Sequence, residues 1–113
     1  MTIPDGGRAD RLAGWVREMD LADQIFITGT TLVLEDIRTR RTDLPVPFDE
    51  APLRESSPSA AYRLALEIHL AYANLPSHLA PDGVDEHWRI SNMTKELADR
   101  IARYHPEVAS GAT

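Results

Sequence analysis

The 113-residue chain contains no cysteine, which excludes disulfide bridges, thiolate nucleophiles and zinc–thiolate sites. It also has no apolar run near the ~20 residues that a transmembrane helix needs. The N-terminal segment lacks the apolar core of a secretory signal peptide. We therefore expect a cytoplasmic protein that does not enter a membrane. This length is typical of one domain with its own hydrophobic core.

Lysine is nearly absent: 11 of the 12 basic residues are arginine. This bias is typical of GC-rich bacterial genomes. The formal net charge is −6, and the basic residues form one local cluster, Arg38, Arg40 and Arg41. Affinity for nucleic acids depends on clustered positive charge. We therefore do not expect this acidic chain to bind DNA or RNA.

The most apolar stretch predicts a central helix over residues 58–74. Ser57 supplies an N-cap hydroxyl, Pro58 suits the first helical position, and Pro76 stops the helix. Nearly all of the helix is apolar, so we expect it in the middle of a bundle or in a dimer interface. Its polar side chains form one stripe, interrupted by Leu70 and made of Ser59, Arg63, Glu67 and Asn74.

Apolar residues at helical spacing predict three further helices, at 8–19, 20–40 and 85–105. The predicted fold is therefore all-α, a small four-helix bundle that forms a single domain over residues 8–106. Flexible tails are predicted at 1–7 and 107–113.

The second helix is the main ambiguity, because residues 25–35 are rich in β-branched side chains and Gly29-Thr30 could form a hairpin turn. An α+β fold with a short hairpin at 25–35 is thus the alternative. Regular alternation of apolar and polar residues is missing, so we predict a helix. Its predicted inward face comprises Leu21, Ala22, Ile25, Phe26, Thr28, Gly29, Leu32, Val33 and Ile37, with Ile27 and Leu34 as exceptions. Gly29 would let the central helix approach closely. Asp36 would point the same way, either as a solvated residue at the rim of the bundle or as part of a polar pocket.

The segment between the second and third helices contains prolines at 45, 47 and 52, which exclude an interior helix or a central strand. We predict an extended crossover that lays its apolar side chains, Leu44, Val46, Phe48 and Leu53, onto the bundle. A docking surface or a lid is the functional alternative.

His69 stands out as a polar residue on the apolar side of the central helix. One interpretation is a structural histidine bonded to a backbone carbonyl or a tyrosine hydroxyl. The other is a functional histidine in a small-molecule pocket formed by Tyr62, His69, Tyr72 and Asp36. No Glu-x-x-His or His-x-x-x-His pair is present, and we expect no metal and no cofactor.

Arg63 and His69 fit the Arg-x4–6-His spacing of the HEPN ribonucleases, which this chain resembles over these seven residues. The resemblance implies a small all-helical, often dimeric ribonuclease. Arg63 would orient the scissile phosphate, and His69 would transfer protons. Arg100 and His105 fit the same spacing.

The pattern as a whole favours a small helical protein–protein interaction subunit, accessory or regulatory, that forms a homodimer or binds a protein partner. The reason is the central helix, which needs more apolar cover than three short neighbours supply. The alternatives are the pocket around His69 and the ribonuclease.

Overall fold

The computed structural model describes residues 12–41, 44, 46–74 and 84–110. Within these ranges the chain forms helices and no strand, so the all-α prediction is confirmed. The hairpin alternative at 25–35 is wrong, because one unbroken helix runs through it. The helices are α1 (Gly14–Arg17), α2 (Leu21–Arg40), α3 (Pro52–Glu55), α4 (Pro58–Ala73), α5 (Val84–Tyr104) and α6 (Pro106–Ser110).

The centre of the bundle is the contact between α4 and α5. Ser57 caps α4 as predicted, since its hydroxyl accepts a hydrogen bond from the Ala60 N–H at 3.2 Å. Small side chains at Ala61 and Ala65 are fully buried and let α5 approach closely. α5 contributes the fully buried apolar residues Ile90, Leu97, Ala98 and Ile101 to the core.

Most of the stripe predicted on α4 faces solvent: Arg63, Glu67, Leu70 and Asn74 are exposed, and Ser59 is half-buried. The flanks of the helix, at Leu64, Leu66 and Ala71, are half-buried rather than enclosed. The central helix is therefore covered mainly on one side, and the expectation that it lies enclosed on several sides is wrong for the single chain.

α2 packs against α5 and α3 with a face that is rotated around the helix from the predicted one and shares Ile37 with it. Its buried residues are Asp23, Ile27, Thr30, Thr31, Leu34 and Ile37. Ile27 and Leu34, the two exceptions in the predicted pattern, are fully buried, and Leu21 and Ile25 are exposed. The close approach at Gly29 is also wrong, because no other described part of the chain lies within 4 Å of the position a Cβ would take.

Two of the polar residues that face the core here, Thr31 and Asp23, have hydrogen-bond partners. The Thr31 hydroxyl donates to the Ile27 carbonyl at 3.0 Å, within its own helix. The Asp23 carboxylate accepts a hydrogen bond from the Tyr104 hydroxyl at 2.6 Å and pairs with Arg100. Burial is inexpensive for polar groups whose hydrogen bonds are satisfied.

α1 is a single turn, Gly14–Arg17, where a helix over 8–19 was predicted. Ala13 precedes it with extended backbone, because the Ala13 N–H donates to the Arg54 carbonyl at 2.7 Å instead of joining a helix. Residues 8–11 of the predicted helix and the predicted tail at 1–7 lie outside the described residues.

Trp15 of α1 contacts two parts of the chain that are distant in sequence. Its indole N–H donates to the Ser56 carbonyl at 2.6 Å, at the junction between α3 and α4. Its ring meets the His105 imidazole edge-on, with centroids 6.0 Å apart. α1 thus joins the α3–α4 junction to the end of α5.

The crossover segment packs onto the bundle as predicted. Leu53 is fully buried, and Leu44, Val46 and Phe48 are half-buried against the core. The Tyr72 hydroxyl of α4 donates to the Val46 carbonyl. The one turn of α3 was not predicted.

The C-terminal end differs from the flexible tail predicted from residue 107. Pro106–Ser110 forms α6, which packs on α5 and α4 and buries Val108. Apolar contact therefore orders residues 107–110, and residues 111–113 lie outside the described part of the chain.

Candidate functional site

The outer face of α2 carries large aliphatic side chains that this chain leaves in solvent. Leu21, Ile25 and Leu32 are 70%, 62% and 42% exposed. At about 100° per residue they lie within about 40° of one another, opposite the buried face of the helix. Together with Thr28 they form a row that we call the α2 seam.

The spacing of the α2 seam is four, three and four residues, the alternation of the apolar positions in a coiled coil. Gly29 lies beside the seam with open space around it. Three further large side chains among the described residues, Leu70, Trp88 and Tyr104, are exposed at separate places on α4 and α5. A contiguous apolar row is the stronger indication of a contact surface.

His69 lies between α4 and α5, half-buried. Its Nδ1 is 2.9 Å from the Ser91 carbonyl oxygen and 3.0 Å from the Ser91 hydroxyl. A proton on Nδ1 would be donated to the carbonyl, which is the arrangement expected for the structural interpretation.

Tyr72 is buried on the same side of α4, one turn beyond His69. Its ring meets those of Phe48 and His87 edge-on, with centroids 6.1 and 5.2 Å away. Burial raises the pKa of the Tyr72 phenol. Tyr62 is half-buried two turns before His69.

Asp36 is not part of this group. The rotation of α2 places it on the exposed side of that helix, where it pairs with Arg40 at 3.4 Å. Asp36 is therefore solvated, and the interpretation that places it in a polar pocket is wrong. His69 and Tyr72 contact α5, and Tyr72 also contacts the crossover segment.

The two Arg-x4–6-His pairs occupy different settings. Arg63 is exposed and lies about 120° around α4 from His69. Arg100 pairs with Asp23 and Glu96, and its guanidinium carbon sits 4.2 Å from the centre of the Phe26 ring. His105 contacts Trp15 and lies 3.5 Å from Glu107.

The basic cluster at the end of α2 is matched by carboxylates. Arg38 donates two hydrogen bonds to Glu50, at 2.7 and 2.9 Å. Arg40 donates to Glu86 at 2.8 Å, and Arg41 pairs with the same carboxylate. The hydrogen bond from Arg40, opposed by partial burial, keeps the pKa of Glu86 below its usual value. The local charge of the cluster is therefore largely neutralised.

Two features of the described residues bear on the remaining predictions. No helix there combines the length and the hydrophobicity of a membrane span. No group of three or more His, Asp or Glu side chains in those ranges is arranged to hold a metal ion.

Sequence reasoning missed Glu50 and Arg54, which the crossover segment buries. No spacing signal marks either residue, because their burial depends on how the crossover meets α2. Comparison with known proteins gives no match to a protein-family model, a curated protein or a solved structure.

Proposed function

We propose that this chain is a small helical interaction subunit, accessory or regulatory, that forms a homodimer through the α2 seam. The observation that carries the proposal is the exposure of Leu21, Ile25 and Leu32 on one face, opposite the core of the same helix. An amphipathic helix that has solvent on its outer side normally carries polar residues there. α2 buries Ile27, Leu34 and Ile37 on its inner face and still exposes a second aliphatic row on its outer face.

Association would bury the seam from water. Full burial of a Leu or Ile side chain stabilises a complex by about 1.5–3 kcal/mol relative to exposure. In a two-fold symmetric dimer, each such side chain is buried once in each copy. The heptad-like spacing suits a second helix of the same pattern. Gly29, with no side chain, allows the two backbones to come close beside the seam.

An antiparallel arrangement of the two α2 helices fits the spacing of the seam. Centred on the seam, it places Leu21 of one copy opposite Leu32 of the other, and Ile25 opposite Thr28. It also opposes the helix dipoles favourably, whereas a parallel pair would place the like ends of the two dipoles together.

The test compares two substitutions that each put a charge on an exposed aliphatic position. Ile25→Glu lies in the seam, and Leu70→Glu lies on the solvent stripe of α4, where Leu70 is 56% exposed. We expect Ile25→Glu to weaken dimerisation at least about 100-fold, since two apolar contacts are lost and two charges are buried. Leu70→Glu should leave the dimer intact.

Sedimentation or light scattering at micromolar concentration measures the outcome, with circular dichroism as the check on folding. A monomeric wild-type chain contradicts the proposal. So does an equal loss of association in both variants.

A further inference from the structure

Arg54 of α3 is a buried cation whose hydrogen bonds are incomplete. The residue is only 5% exposed, and its Nε and Nη1 are enclosed without a hydrogen-bond partner among the described residues. A guanidinium keeps its charge at any ordinary pH, and buried donors are nearly always satisfied. Burial of Arg54 in the folded chain therefore costs free energy, because both nitrogens lose their contact with water.

The buried carboxylate of Glu50 compensates for this cost only in part. Both of its oxygens accept hydrogen bonds from Arg38. Burial opposes the ionised form of Glu50, yet the hydrogen bonds from Arg38 and from its own backbone N–H, together with the charge of Arg54, keep its pKa below the usual value. Glu50 thus attracts the charge of Arg54 and leaves the two donors unsatisfied.

Apolar packing holds the crossover segment in place less firmly than it holds the α4–α5 pair. Leu53 is the one fully buried apolar side chain among the described residues of the segment, and Val46 and Phe48 are half-buried. A cavity of about 170 Å³, lined mainly by polar side chains of both elements, separates part of the segment from α2. The burial of Leu53 is therefore the main apolar term that keeps the segment closed.

The remaining attachments of the segment are polar. The Ala13 N–H donates to the Arg54 carbonyl at 2.7 Å, and the Trp15 indole N–H donates to the Ser56 carbonyl at 2.6 Å. Water can replace such hydrogen bonds when the segment opens, so their net contribution to closure is small. Opening also gives water to the free donors of Arg54. Leu53 and Arg54 thus act in opposite directions with effects of similar size.

We propose that residues 46–57 of the crossover segment open as one unit while α4 and α5 stay folded, and that this opening uncovers Tyr72. The Tyr72 hydroxyl donates to the Val46 carbonyl, and its ring meets the Phe48 ring edge-on. Both contacts are lost on opening, whereas the contact with His87 of α5 is kept. Local opening of this kind exposes a buried surface without global unfolding.

Hydrogen exchange of the full chain, followed by NMR, tests the proposal. The reporters of the segment are the Ala13 and Leu53 amide protons and the Trp15 indole proton, and the Leu97 amide in the core of α5 reports global unfolding. We expect the three reporters to share one opening equilibrium, at least about 100-fold more favourable than opening at Leu97. Three different equilibria overturn the proposal, as does exchange that requires global unfolding.

Arg54→Met removes the unsatisfied donors and keeps most of the side-chain volume, so it should make opening at least about tenfold less frequent. Arg100→Met is the matched control, because the Arg100 guanidinium donates hydrogen bonds to Asp23 and Glu96. The control should not make opening less frequent. Unchanged opening in Arg54→Met overturns the proposal, and so does an equal decrease in both variants.

Should Arg54→Met fail to fold, Leu53→Ala serves instead, since it removes the main apolar contact of the closed state and should make opening at least about tenfold more frequent. Nitration of Tyr72 by tetranitromethane, located by mass spectrometry, should change in step with the opening in each variant. A nitration rate that does not follow the opening overturns the proposal. Ile25→Glu, which tests the dimer, should open as the wild type does, so the two proposals fail independently.

Discussion

Asp23 shows how one carboxylate settles the orientation of a helix. It accepts a hydrogen bond from Tyr104 at 2.6 Å and pairs with Arg100, both from the end of α5. The Tyr104 hydroxyl also accepts the Asp20 N–H at 3.1 Å, just before α2 begins. The Tyr104 hydrogen bond is the main cause that lowers the pKa of Asp23, with Arg100 acting in the same direction against partial burial.

We predict that Asp23→Asn lowers the free energy of unfolding by about 1.5 kcal/mol at pH 7, since charge-assisted hydrogen bonds are lost. A carboxylate with a lowered folded-state pKa stabilises the fold above its ordinary value of 3.8, and that stabilisation disappears as the pH falls through the folded-state pKa. The difference between variant and wild type should therefore shrink in acid.

Urea denaturation at pH 7 and at about pH 3 measures this difference. Asp99→Asn is the matched control, because Asp99 forms an exposed i, i+4 pair with Lys95 at 2.8 Å and should cost less than about 0.5 kcal/mol. A loss at Asp23 that is the same at both pH values contradicts the assignment.

The burial of Arg54 is a feature that sequence analysis could not predict. It lies in a proline-containing segment where no period assigns inside or outside, and charged residues are rarely buried. Its burial follows from the turn of α3, which buries Leu53 beside it, and from the hydrogen bond between its carbonyl and the Ala13 N–H. These contacts link positions far apart in the chain, so no local pattern predicts them.

At the scale of elements, the long helices were predictable and the face of α2 was not. α4 carries an N-cap and α5 a regular apolar period, and their observed bounds follow the prediction closely. For α2 the period correctly predicts a helix, but a hydrophobicity count treats Thr30, Thr31 and Asp23 as outward residues. Their side chains are in fact buried, and Thr31 and Asp23 have hydrogen-bond partners, so the count assigns the core to the wrong side.

The single-turn helices could not be predicted from the sequence for a different reason. α1, α3 and α6 span four or five residues each, too few to show a period and too few to be stable alone. They form because Val16, Leu53 and Val108 reach the shared core. Such elements follow from the tertiary fold. α3 and α6 were therefore absent from the prediction, and α1 was predicted as part of a longer helix over 8–19.

Gly29 offers a test of helix propensity within α2. A Cβ at this position meets no other described part of the chain, and glycine inside a helix costs about 0.5–1 kcal/mol relative to alanine. We predict that Gly29→Ala raises the free energy of unfolding by that amount when measured at submicromolar concentration, where dissociation removes any effect of association. A destabilised variant under these conditions would show that the monomer uses the space beside Gly29.

At the scale of the whole molecule, α1 contacts two segments that are distant from it in the sequence. The Trp15 indole bonds to Ser56, 41 residues along the chain, and its ring touches His105 near the end of α5. The Asp20 N–H adds a bond to Tyr104. The first described helix is thus held by two segments that must themselves be in place.

This arrangement sets an order of events during refolding. α4 and α5 can pair through neighbouring contacts, whereas the four-residue α1 has no stability of its own and must dock on a finished surface. In stopped-flow refolding of a Trp88→Phe chain, where Trp15 is the sole indole, fluorescence should therefore change after most of the helical circular dichroism has returned. Simultaneous recovery of the fluorescence and the circular dichroism would show that α1 docks while the other helices form. Trp15 fluorescence would then report an early step of folding instead of the last one.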